Sequence, residues 1–508
     1  MTSPSLTRSD RALAGLLFVG VFGYLFAWPR NLGTSDESHF LYHAKVVLQG
    51  GMPYRDFFEF YTPLANYVVA LLFAVFGVKI ATAKIAMAVL HGGIVALLFL
   101  GARALPVRTP LAIVGALAYL ALGPPTWPFA SPHWIATLVL VSILLVLLPR
   151  PLARGRLISI GVLSGVLTSM QHQTGVPILV AIAIVISVEG WLDRRFGKSP
   201  GGSTPAKLLQ FAAPAVAIPA VILLIHMAIV GFEPMFEQLV LHPLTGYREY
   251  NKSGWGEVHI MSASFAAYTY PLILAYLPVV LAPIAGWRLI LAWRAGNRFD
   301  FERVSTLFVF SIGTALTVVN RPDFIHLAFI VAVYLLFCVE TMEWGLARIP
   351  APKWVAPWVG GFAIALLVAI GVHLQRNYTR AWETYYLPTE TQFGRVDFAA
   401  PIQVQVFERV YAALENESDR KLFCYPVWAS LYLTTDAHNP TMHEIMFPGY
   451  VPLEQYRETI DILERERVRY VVMLSWWILE GDPMVQYISS KYRCADDLDN
   501  CRLYRRID

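Results

Sequence analysis

Charge is what this chain has least of. Only 15% of its 508 residues are Asp, Glu, Lys or Arg, against 56% hydrophobic residues and a mean hydropathy of +0.51. That balance excludes both a soluble globular enzyme and a disordered chain. The 40 basic and 36 acidic residues leave a net charge of +4 with no basic block, so nothing tracks phosphates as a nucleic-acid binder must. Cysteine is scarce too: there are four, none in the Cys/His spacing of a structural zinc site. Internal repeats and low-complexity segments are absent. The scarce charge is also uneven, with 35 charged residues from Arg376 onward and 41 in the first 375. Residues 1–375 therefore read as a membrane body and 376–508 as an extracytoplasmic α/β domain.

The apolar run from Ala12 to Trp28 follows Arg8 and Arg11 and has no small-residue cleavage site behind it, so it reads as a first span with the N-terminus in the cytoplasm. Further spans are expected near 84–102, 110–123, 132–148, 157–171, 176–192, 208–231, 265–287, 304–319, 324–344 and 355–375. Leu64 to Phe76 decides the topology. It has about 13 apolar residues, against the roughly 20 needed to cross a 30 Å core. Laid flat on the outer surface, it leaves Arg103, Arg108, Arg150, Arg154, Arg156, Arg194, Arg195, Lys198, Arg288, Arg294, Arg298, Arg303, Arg348 and Lys353 all inside. Counted as a span, it would put every one of them outside. The positive-inside rule therefore predicts about eleven transmembrane helices plus a surface helix, with the charged tail outside. Two outer loops are long, 29–84 and 232–264, and function is expected there.

In the tail, Pro401–Asn416 and Leu453–Arg467 read as helices, and Lys421–Val427, Val468–Leu474 and Arg502–Ile507 as strands. Cys494 and Cys501 bracket a polar loop on the side where a disulfide persists, so a bridge is expected.

The first outer loop is the richest in chemistry: Ser35-Asp36-Glu37-Ser38-His39, then Tyr42, His43 and Lys45, then Pro53-Tyr54-Arg55-Asp56-Phe57-Phe58-Glu59, then Tyr61-Thr62-Pro63. Adjacent carboxylates just beyond a span sit at the interface, where partial desolvation makes a carboxylate a better base. Ser35 and Asp36 equally suit a helix N-cap followed by solvated acids. A second constellation, Asn320-Arg321-Pro322-Asp323-Phe324-Ile325-His326, falls at an outer turn between spans. Ionisable groups at that depth are costly and mark sites, although Arg321 and Asp323 would also close the turn as an ion pair. Gln171-His172-Gln173 ends an outward span. His242-Pro243, Tyr247-Arg248 and Trp255 in the second loop offer aromatic faces and bidentate donors. His91, beside Gly92 and Gly93, reads as a helix-packing residue.

The ordered loop pattern, Asp-Glu, then Tyr and Ala, then Gly with Pro-Tyr-Arg-Asp-Phe-Phe-Glu, then Pro and a short helix ending Phe76-Gly77-Val78 before Lys84, resembles the first periplasmic loop of GT-C glycosyltransferases. The likeness is to the branch with protein O-mannosyltransferases, aminoarabinose transferases and Rgt-type galacturonosyltransferases. It implies a bacterial inner-membrane enzyme, inverting at the anomeric carbon, that moves a hexose or pentose from a polyprenyl-phosphate donor to a glycan, lipid or protein acceptor outside. Asp36 would be the general base, with Glu37 beside it. Arg55, Lys84, Arg321, Asp323, His326 and His172 are the candidates for the donor phosphate, although Arg55 has Asp56 and Glu59 to pair with, and Lys84 can snorkel from a span end. Asp56, Glu59, Tyr61, His242, Tyr247 and Arg248 are candidates for sugar and acceptor. Relatives often carry a lysine near 171–173, and none stands here. No cofactor is expected. Three rivals are a transporter or flippase of a lipid-linked glycan, a non-catalytic membrane scaffold that presents the tail domain, and a diphosphate-using ligase with Mg²⁺ or Mn²⁺ on Asp36, Glu37 and Asp56. The flippase would show paired halves and mid-membrane charges.

Overall fold

The computed structural model describes residues 6–196, 203–257, 271–348, 355–447, 450–474 and 481–507. Its body is a bundle of long helices: α1 (Arg8–Phe26), α4 (Ile80–Ala104), α5 (Thr109–Leu122), α6 (Pro132–Leu147), α7 (Arg154–Met170), α8 (His172–Phe196), α9 (Thr204–Val230), α10 (Pro271–Arg294), α11 (Arg298–Leu316), α12 (Phe324–Leu346) and α13 (Val355–Thr384). The first outer loop adds α2 (Asp36–Leu48) and α3 (Leu64–Phe76). Among the described residues, six helices are long and apolar enough to cross a membrane, and α5 and α6 are shorter apolar helices. The start of the span expected at 265–287 lies outside the described residues, as do Lys198 and Lys353. The fold is a polytopic helical membrane body with a small α/β domain.

The expected surface helix has the bounds read from sequence. Its 13 residues bury Ala65, Val69, Ala70 and Phe73, while Leu71, Val75 and Phe76 are each about two-thirds exposed, an apolar face suited to lipid. The bundle is close-packed through glycine. A β-carbon on Gly161 would lie 2.3 Å from the Phe211 carbonyl oxygen, and one on Gly165 2.8 Å from that of Pro214, so α7 and α9 approach backbone to backbone.

Basic residues that the sequence places inside pair with acids at one end of the bundle. Arg103 meets Asp10 at 2.7 Å, Arg108 meets Glu343 at 2.8 Å, and the buried Arg288 meets Glu340 at 2.5 Å. Arg150 and the buried Lys207 share Glu189. α4, α6, α8 and α12 all run toward these ion pairs, so their N-termini gather at the opposite end. His91 is indeed a packing residue, hydrogen-bonded to the Tyr119 hydroxyl at 2.8 Å.

α13 continues past 376 to Thr384 and enters a hairpin, β1 (Leu387–Thr391) and β2 (Gly394–Phe398), which the sequence reading omits. A four-stranded sheet follows in the order β3-β4-β6-β5, from β3 (Leu422–Tyr425), β4 (Tyr470–Leu474), β5 (Tyr492–Leu498) and β6 (Cys501–Arg506). β3 and β4 are parallel and the other pairs antiparallel. The helices α14 (Pro401–Leu414) and α15 (Leu453–Arg465) match the reading, and β5 was hidden by its polar, mostly exposed composition. The expected disulfide is corrected by register. Cys494 lies opposite Tyr504 and Cys501 opposite Leu498, so the two thiols are not cross-strand partners and both are free.

The tail is tied to the outer loop rather than hung from α13. Arg30 and Asp397 exchange hydrogen bonds, the Ile80 amide donates to the Phe393 carbonyl, and the Phe58 amide donates to that of Met442. Lys45 reaches Asp436 at 2.6 Å.

Candidate active site

α2 begins at the acid pair, and the two carboxylates are used differently. Successive helical residues point about 100° apart, so one can face the bundle while the other faces outward. Glu37 is 1% exposed. It accepts hydrogen bonds from Lys84 Nζ at 2.9 Å, the Ala130 amide at 2.6 Å and the Gly33 amide at 2.8 Å. It thereby pins α2 to α4 and to the turn before α6. Asp36 is exposed and, among the described residues, has no hydrogen bond or ion pair of its own. The expected N-cap bond from Ser35 is not made.

Across from Asp36 stands the turn before α12. Asp323 caps that helix, accepting from the amides of Ile325 and His326 and from His326 Nδ1 at 2.9 Å. Its other oxygen accepts from Arg321 Nε at 2.8 Å. Burial would raise the Asp323 carboxyl, but His326, Arg321 and the amides outweigh it and hold the group well below the usual carboxylate range. Burial alone would lower the Arg321 guanidinium. Tyr247, Asp323 and Asp36 reverse that and keep it charged. Asp36 is therefore near enough for its charge to act on Arg321, although Arg321 lines the cavity below and Asp36 does not.

Beneath them opens a cavity of about 380 Å³. Tyr61, His133, Gln171, His172, Tyr247, Asn320, Arg321 and His326 line it with polar groups, and Leu140, Val176, Leu316 and Ile330 with apolar ones. The N-terminal ends of α6, α8 and α12 and the second long loop meet here. A polar rim over an apolar depth suits an amphiphile with a compact charged head. His133 is the central wall residue, and sequence reasoning missed it. Its ring stacks on Phe329 at 4.6 Å, and its nitrogens reach the Tyr61 hydroxyl at 3.3 Å and Gln171 Nε2 at 3.0 Å. The available signal was a histidine in the first turn of a span opened by Ser131-Pro132.

Several candidates lie elsewhere. Arg55 and Asp56 form an exposed pair with each other at 2.7 Å, and Arg55 does not line the cavity. Lys84 is spent on Glu37. Arg248 is exposed and outside the cavity wall. His242 is buried in an aromatic cluster, with ring centroids 4.8 Å from Phe58 and 5.2 Å from Tyr450. Glu59 is buried and accepts from the Tyr61 amide and Asn66. It also flanks His43 at 3.5 Å, while Glu444 of the tail stands on that ring's other side at 3.2 Å. Burial lowers His43, yet the Glu444 and Glu59 carboxylates overcome it and push it up to about 9. His39, one turn earlier, is lowered by burial despite Glu444 at 3.9 Å. The tail thus docks on α2 through a buried cation between two carboxylates.

The class of protein this defines is a polytopic helical membrane fold with an acid near an arginine that lines an amphiphilic cavity. No family model matches the chain, and no curated protein matches it in sequence. Solved structures do match in fold. One is ArnT from Cupriavidus metallidurans bound to undecaprenyl phosphate, at 14% identity and a TM-score of 0.59, with 98% of this chain and 97% of that one covered. ArnT from the same organism in the apo state gives a TM-score of 0.55 at 14% identity, covering 96% and 97%.

Proposed function

We propose that this chain is an inverting glycosyltransferase of the bacterial cytoplasmic membrane, taking a hexose or pentose from a polyprenyl-phosphate donor to an acceptor on the outer side. One observation carries the reading: an unpartnered carboxylate, Asp36, faces an arginine, Arg321, that Asp323 and Tyr247 hold at the rim of a cavity with an apolar floor. Carboxylate and guanidinium on opposite sides of a small space suit a displacement. The acceptor oxygen bonds to the anomeric carbon as its proton passes to Asp36, and the bond from that carbon to the phosphate oxygen breaks. Arg321 stabilises the charge developing on the leaving polyprenyl phosphate, in a region where water screens little. A single displacement inverts the anomeric centre. His133, Tyr61 and Gln171 form a hydrogen-bonded wall suited to sugar hydroxyls. Glu37 and Lys84 act by holding α2, and so Asp36, in place. The fold likeness to ArnT, solved with undecaprenyl phosphate, supports the lipid-phosphate donor.

The test is mass spectrometry of envelope glycolipids, glycans and glycoproteins from cells carrying the wild-type gene, a deletion, or Asp36→Asn at matched expression. Loss of one sugar mass in both mutants is expected, and that mass identifies the sugar. If Asp36→Asn matches wild type while the deletion does not, the base assignment fails and a flippase role replaces it.

A further inference from the structure

The tail domain has no role in the mechanism so far, yet one of its side chains, Tyr450, packs against Tyr247, which lines the cavity. The Tyr450 amide donates to the Phe447 carbonyl at 2.9 Å. That stretch is fixed to the tail core, since the Met446 amide donates to Pro426 and Tyr456 donates to the Met446 carbonyl. The second outer loop meets it closely. A β-carbon on Gly246 would lie 3.3 Å from the Tyr450 carbonyl oxygen, and Tyr250 packs edge-on to the Tyr450 ring at 5.4 Å. Next to it are His242 at 5.2 Å and Tyr247, a cavity residue, at 6.4 Å.

We propose that Tyr450 completes the donor site, its hydroxyl donating a hydrogen bond to the lipid phosphate held by Arg321. The inference rests on the polyprenyl-phosphate reading above. Tyr61 from the first loop, Tyr247 from the second and Tyr450 from the tail bring three phenols to one place, and Asp36 acts electrostatically on all three. Arg321 acts on Tyr247 and Tyr450. Burial pushes the Tyr450 hydroxyl well up, with Tyr247 and Asp36 adding to it, so it keeps its proton and stays a donor across the physiological range. A neutral donor suits this position. Arg321 is already shared with Asp323, and a further hydroxyl adds a bond to the phosphate without adding charge for Asp36 to attract. The tail therefore does more than cover the site: without it, one of the phosphate's donors is missing.

The experiment uses the full-length protein in lipid nanodiscs, with undecaprenyl phosphate as the probe. Tyr450→Phe keeps the ring and removes the hydroxyl, and Tyr411→Phe in the tail is the control. The expected result is a Kd for undecaprenyl phosphate raised about tenfold by Tyr450→Phe, the loss of roughly one hydrogen bond to a charged group, with Tm unchanged and Tyr411→Phe like wild type. An unchanged Kd overturns the proposal, as does a weaker Kd accompanied by a Tm fall of several degrees, which would make Tyr450 a packing residue. Failure of the underlying reading looks different: the wild-type protein itself would not bind the probe, or Arg321→Ala would bind it as well as wild type.

Discussion

Replacing Glu444 with Gln should unfasten the tail from α2 in a pH-dependent way. In the folded protein the His43 imidazole stacks on Phe57 at 4.1 Å, between Glu444 and Glu59, with His39 sharing Glu444. Its pKa rises from 6.5 to about 9. A raised folded-state value means the stabilisation is fully present below pH 6.5 and is lost as pH climbs through about 9. The shift corresponds to about 3 kcal/mol at about 1.4 kcal/mol per unit. Glu444→Gln removes the stronger opposing charge, so burial leaves His43 neutral and the site without its cation. The assay is thermal unfolding in nanodiscs from pH 6 to 10, with hydrogen exchange of the 439–447 segment as the local readout. Wild type should lose stability between pH 6.5 and 9. The variant should start about 3 kcal/mol lower, stay nearly flat, and converge with wild type above pH 9. An equal pH slope in both proteins would refute the assignment of the titration to His43.

Glu37→Gln should leave the Lys84 ammonium without its buried partner, costing about 3 kcal/mol or more, and it should lower Tm together with activity, whereas Asp36→Asn should lower activity alone. Gly161→Ala places a methyl on the Phe211 carbonyl and Pro214 ring; a loss of about 1–3 kcal/mol from separating α7 and α9 is expected in a thermal unfolding series, and unaltered stability would contradict that packing. Thiol labelling of the unreduced protein should find Cys494 reactive and a mobility unaffected by reductant, because β5 and β6 do not set it opposite Cys501. Arg55→Ala should leave undecaprenyl phosphate binding within about twofold, since Arg55 is exposed and paired with Asp56, and a large loss would show that the first loop rearranges on binding.

Much of the architecture was legible before any coordinates because the membrane imposes a one-dimensional rule. Helix length, apolar runs and the side on which arginines accumulate depend on local sequence. Thirteen apolar residues at 64–76 gave that helix its bounds, and the arginines from 103 to 303 gave the expected orientation of the rest. The acid pair at 36–37 and the triplet Arg321, Asp323 and His326 were equally visible, since ionisable residues stand out from an apolar background. Sequence could not tell which member of the acid pair was spent. Only the arrival of Lys84 and the Ala130 amide decides that Glu37 is buried and Asp36 free. Nor could it set Arg55 outside the site, bring His133 into the cavity wall, carry Glu444 back some four hundred residues to α2, or set Tyr450 against the second outer loop. Those relations are contacts between segments distant in the chain. Composition and spacing record what a residue can do, and the packing of the bundle and the docking of the tail decide what stands beside it.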